Sequence, residues 1–153
     1  MDIRDVRPGN TLCLRSELEG ALLVLGDVHA AQGDGEILGL AAECAADVRV
    51  RVVRDLHFRS PRPMIGLPGG FVALACRAAY YEARDVAVRD ATTILARLSG
   101  ATEEEAYLYV TTVGNLRNGA VWSMGRTEPA WMRAMPLVVG VEVALSQSAA
   151  LER

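Results

Sequence analysis

A chain of 153 residues can bury a core without disulfides or a structural metal and is short enough to fold as one domain, so residues 1–153 are read as a single unit. Its net charge of −3, with acids and arginines interspersed, excludes nucleic acid as the main partner, because phosphate binding needs a concentrated basic face. All 16 basic residues are arginine, which stays protonated at any relevant pH, so Schiff-base chemistry and a lysine general base are ruled out.

Thr11 to Leu14 and Ala21 to Leu25 are short apolar runs separated by a polar turn, and both predict buried strands. Ile37 to Cys44 predicts a further strand, weakened by its alanines. Asp47 to Arg54 alternates Val48, Val50 and Val52 with Arg49 and Arg51, the period of a half-buried strand. Arg59 to Gly70, rich in proline and glycine, reads as a loop with a brief strand around Met64 to Leu67 and as the break between subregions. From Ala79 to Ser99, Tyr80, Ala83, Ala87, Ala91, Ile94, Leu95 and Leu98 form one helical stripe. Tyr80 and Tyr81 read as core, and Glu82, Arg84, Asp85, Arg89, Asp90 and Arg97 as the solvated face. Gly100 stops that helix, and Thr102 with Glu105 is a capping-box signature opening a second one to about Val113. Gly114-Asn115 breaks it; a possible strand at Ala120 to Met124, a polar loop holding Trp122, Pro129 and Trp131, and a last strand at Leu137 to Leu145 follow.

The three cysteines, Cys13, Cys44 and Cys76, are scattered and odd in number, which favours buried free thiols in a reducing compartment over a disulfide framework. No apolar run reaches the roughly 18 residues of a membrane span, and no leader pattern opens the chain. The expectation is a soluble cytoplasmic protein with no membrane partner. An apolar fraction of 51% with few aromatics predicts an aliphatic, alanine-rich core, part of whose surplus faces another chain.

Gly26 to Glu36 holds one of the two histidines, three carboxylates and three glycines. On an extended backbone Asp27 and His29 project to the same face, about 6.5–7 Å apart at Cα, close enough to share one metal ion or one water. Gly33-Asp34-Gly35 is a turn that brings Glu36 back toward that pair, with Asp34 itself read as a turn former. The glycine spacing is not that of a phosphate loop. His57 lacks neighbouring ligands and reads as a surface or interface residue, and Cys44, with no histidine nearby in sequence, makes a weak nucleophile.

Pro8-Gly9, Glu19-Gly20-Ala21-Leu22, all of Gly26 to Glu36, and Gly39 to Glu43 together resemble one continuous block of the acetamidase/formamidase family. Glu104 to Tyr107 and Gly114-Asn115-Leu116-Arg117 resemble a weaker second block, with Asn115 standing where the family typically shows aspartate. The resemblance covers the carboxy-terminal half of a family whose members usually run to about twice this length. It implies an α+β fold, a β-rich, sandwich-like sheet structure with two helices packed to one side. The activity implied is metal-assisted hydrolysis of short-chain or cyclic amides such as formamide or acetamide.

Amide hydrolysis needs a polarised carbonyl, an activated water and a proton for the departing amine. For a divalent metal of the zinc class, Asp27 and His29 are assigned as ligands, Glu36 as third ligand or base, and Glu43 as proton carrier. Gln32 either orients the substrate amide or bonds the turn. The missing half of the site implies a homo-oligomer or a partner subunit. The alternative is a non-catalytic binding or structural subunit that keeps the turn for its hydrogen bonds.

Overall fold

The computed structural model describes residues 2–37, 39–53, 60–121 and 136–145. In chain order the elements are β1 (Thr11–Cys13), β2 (His29–Ala31), β3 (Ala42–Glu43), β4 (Met64–Leu67), β5 (Gly70–Arg77), α1 (Tyr80–Ser99), α2 (Glu103–Val113), β6 (Asn115–Asn118) and β7 (Leu137–Ala144). Five strands form an antiparallel sheet in the order β1-β4-β5-β7-β6, while β2 and β3 make a separate two-stranded ribbon. With two helices on one face of the sheet, this is the expected α+β, β-rich arrangement.

The core follows from strand alternation. Phe71, Ala73 and Ala75 of β5, with Val141 and Val143 of β7, face α1, which meets them with Ala83, Ala87, Ala91, Ile94 and Leu95. Alanine at three successive turns lets the helix axis approach the sheet closely. α2 adds Ala106 and Val110 to the same cluster. Its capping box is complete: the Thr102 hydroxyl accepts from the Glu105 N–H at 3.2 Å, and the Glu105 carboxylate accepts from the Thr102 N–H at 2.9 Å. α1 ends on Gly100 in the left-handed conformation, φ 72°.

On the opposite face Val72 and Leu74 pack with Ile65 and Ile3, and Gly140 is required there because a Cβ would lie 2.7 Å from Val72 Cγ1 and 3.1 Å from Leu74 Cδ2. An Arg117–Glu142 ion pair joins β6 to β7.

Several expectations are corrected. Ala21 to Leu25 is neither strand nor core: Leu22 is 91% and Val24 86% exposed. Residues 47–53 likewise carry no strand, with Val48, Val50 and Val52 all exposed, and Ile37 to Cys44 reduces to the two residues of β3. Apolar patterning reports that a segment prefers cover, and among the described residues these segments have none. The loop at 59–70 is no break, since β4 pairs with both β1 and β5 across it. β5 and β6 were not anticipated: β5 is alanine-containing and buried on both faces, and so lacks a period-two signature, while β6 has only four residues. Tyr81 is exposed, stacked edge-on to Tyr80 and under the Arg84 guanidinium. Asp90 is buried, and Arg62 Nη1 donates to both its carboxylate oxygens at 2.6 and 2.8 Å. Two of the thiols are not core residues, since Cys44 and Cys76 are exposed, while Cys13 is half-buried against the core cluster, its pKa raised by that burial. His57, Trp122, Pro129 and Trp131 lie outside the described residues, as do 122–124 of the expected strand at 120–124; Ala120 and Val121 form none. No helix among the described residues is long and apolar enough to cross a membrane.

Candidate metal centre

The β2–β3 ribbon sets the site. Its register places Glu43 directly opposite His29, and the Cys44 N–H donates to the Val28 carbonyl at 2.9 Å to close the ladder. An irregularity between His29 and Ala31 bends the short ribbon. Asp27 is not extended as the spacing argument assumed: its φ of 58° is left-handed, and the turn folds its carboxylate back onto the imidazole, Oδ1 lying 3.2 Å from His29 Nε2. Asp27, His29 and Glu43 each offer a ligand atom, all within 4.8 Å of one another. The imidazole is nearly buried, with 9% of its side-chain surface exposed, while Asp27 and Glu43 are open to solvent.

One nitrogen and two carboxylate oxygens are a donor set suited to zinc, which takes tetrahedral ligands at about 2.0–2.2 Å and therefore needs donors roughly 3.4 Å apart. The Asp27–His29 separation already matches, and the exposed Glu43 side chain is free to rotate inward. The residues present fit a divalent ion.

Glu36 stands outside this ligand group. It is buried, at 9% exposure, and sits in the left-handed region at φ 43°. Asp27 and Glu36 are the non-glycine residues with positive φ among the described residues, and such conformations persist where the surroundings hold them, often at functional sites. The loop carrying Glu36 is anchored on the sheet: the Gly35 N–H donates to the Asn118 carbonyl at 2.8 Å, and the Val121 N–H donates to the Gly35 carbonyl at 3.0 Å. Gly35 is obligatory, with φ 87° and a Cβ position 3.0 Å from Val121 Cγ2. Burial raises the Glu36 pKa above the ordinary glutamate value, the Asp2 and Asp27 charges push the same way, and His29 and the Gln32 amide oppose them. Gln32 Nε2 donates to Glu36 Oε2 at 3.3 Å. Asp34, a turn residue as expected, pairs with Arg4 at 3.0 Å.

The structure thus brings together Asp27, His29 and Glu43 around one point and leaves Glu36, with Gln32, beside it as a buried carboxyl. Asp2 and Asn118 were missed by sequence reasoning. Neither carries a local signal, because each reaches the site only through the sheet edge.

Residues 1–121 match the Acetamidase/Formamidase family. The chain belongs to that family. No curated protein matches it. Among solved structures, an acetamidase from Bacillus halodurans is similar with a TM-score of 0.69 and 27% sequence identity, over 94% of this chain and 45% of that one. The chain therefore spans less than half the length of that acetamidase and shares its fold.

Proposed function

We propose that this chain carries the metal-binding part of a hydrolase for short-chain or cyclic amides, with a second subunit completing the site. One observation carries the reading: in a member of the acetamidase/formamidase family, Asp27, His29 and Glu43 converge within 4.8 Å beside a buried Glu36. Asp27, His29 and Glu43 would hold a divalent ion, most consistent with zinc, which when bound polarises the amide carbonyl and lowers the pKa of its water toward about 7. Glu36, with its pKa raised, is suited to carry a proton between the attacking water and the departing amine. Gln32 acts as a positioning residue that holds the Glu36 carboxylate.

A structural reading draws on the Asp27–His29 contact of 3.2 Å, which gives the imidazole a carboxylate partner without an ion. The two are separated by metal analysis of the purified protein together with ammonia release from formamide and acetamide. The enzyme reading expects one divalent ion per chain, lost in the Asp27→Ala/His29→Ala double variant. A protein that takes up no zinc and releases no ammonia, alone or bound to a second subunit, would sink it.

A further inference from the structure

Taking Glu36 as the proton carrier of the function proposed above, we propose that Tyr80 is a positioning residue for it, its hydroxyl pinning the strand end on which the Glu36 loop docks. Tyr80 opens α1, and its hydroxyl donates to Asn118 Oδ1 at 2.9 Å across a separation of 38 residues. Ala75, Val139 and Asn118 lie directly opposite one another in β5, β7 and β6, so all three side chains project to the face that α1 covers. That register puts the Asn118 amide within reach of a tyrosine in the first turn of the helix.

Asn118 is the last residue of β6, and β6 is an edge strand of the sheet. The end of an edge strand is paired on one side and opens at low cost unless something holds it. The Glu36 loop depends on this end. Gly35 gives its N–H to the Asn118 carbonyl and accepts from the Val121 N–H, and a Cβ on Gly35 would lie 3.8 Å from Asn118 Cβ. Glu36 follows at once in the left-handed region, φ 43°, a conformation that persists in glutamate where the surroundings hold it. The main-chain bonds at Glu36 itself, its N–H to the Gly33 carbonyl at 3.3 Å and its carbonyl from the Gly39 N–H at 2.7 Å, close within the loop and travel with it. The Arg4–Asp34 pair is partly exposed and adds a screened contact. The two bonds at Gly35 therefore set where the loop sits on the sheet, and the Tyr80 hydroxyl holds the residue that makes the first of them. Freeing Asn118 would let the Glu36 carboxyl wander while the β5–β7 ladder in the core stays paired.

The test is Tyr80→Phe in the full metal-free chain, read by amide hydrogen exchange and by the carboxyl carbon resonance of Glu36, which is assigned by its loss in Glu36→Gln. Exchange at Gly35 and Val121 is expected to quicken by about fivefold, the worth of one hydrogen bond, while the amides of β5 keep their parent rates. The Glu36 resonance should move. Asn118→Ala should reproduce both effects, and adding Tyr80→Phe to it should change neither further, because the two residues act through one bond. In ammonia release, Tyr80→Phe should lower kcat by about fivefold with KM within about twofold, and should not lower the residual rate of Glu36→Gln any further. Parent-like exchange at Gly35 with an unmoved Glu36 resonance overturns the proposal. So does quickening spread evenly over Gly35 and β5, which is lost stability of the whole fold, or a further fall in rate on top of Glu36→Gln. Absence of ammonia release from every form sinks the hydrolase reading instead, and exchange and resonance still decide whether Tyr80 positions Glu36.

Discussion

Replacing Glu43 and Glu36 separately by glutamine distinguishes a ligand from a proton carrier. Structural zinc in small peptides is held by about 10–16 kcal/mol spread over four ligands, or roughly 3 kcal/mol each. Losing one ligand should then weaken binding by about 100-fold. Glu43 is exposed and lies opposite His29 in the ribbon register, so Glu43→Gln removes a donor with little cost to the fold, about 0.5 kcal/mol or less. Glu36 lies outside the ligand group, so Glu36→Gln should keep one ion per chain with affinity within about tenfold. Its hydrolytic rate should nevertheless fall by roughly 10²–10⁴, the contribution of a positioned acid or base. Zinc competition against a chromophoric chelator gives the affinities, and ammonia release gives the rates. If Glu43→Gln bound zinc as the parent does while Glu36→Gln lost it, the ribbon register would not define the ligand set and the reasoning would fail.

The Arg62–Asp90 pair, with its carboxylate buried and its guanidinium partly exposed, predicts an asymmetry in urea unfolding. Arg62→Met leaves a buried carboxylate without its partner and should cost about 3 kcal/mol, whereas Asp90→Asn leaves an arginine that can turn to solvent and should cost about half as much. The Glu36 pKa is raised in the folded protein, so its contribution to stability is fully present below the unfolded glutamate value of about 4.3 and is lost as pH rises through the folded value. In metal-free protein the parent should therefore lose stability relative to Glu36→Gln across that rise; parallel curves would show that burial does not act on this carboxyl. Gly70→Ala should destabilise by about 1–3 kcal/mol, since the new Cβ would overlap the Val143 carbonyl in the paired strand, and an unchanged denaturation midpoint would contradict the β5–β7 register.

What the sequence determined by itself was local. The alanine stripe of α1, the Gly100 stop and the Thr102–Glu105 box specify both helices through interactions within a few residues, and the His29 segment identifies the family through its unusual density of acids and glycines. The sheet was less legible. β5 shows no alternation because both its faces are covered, and the apolar run at 21–25 and the alternating valines at 48–52 show the pattern of strands without a strand partner among the described residues. The ligand geometry belongs to the tertiary structure: the His29–Glu43 register, the left-handed turn at Asp27, and the docking of Gly35 on Asn118 decide which carboxylate meets the imidazole and which is buried. Periodicity records what each residue prefers to contact. Only the pairing of distant segments fixes what it does contact, and that pairing placed Glu43 at the imidazole and Glu36 beside it.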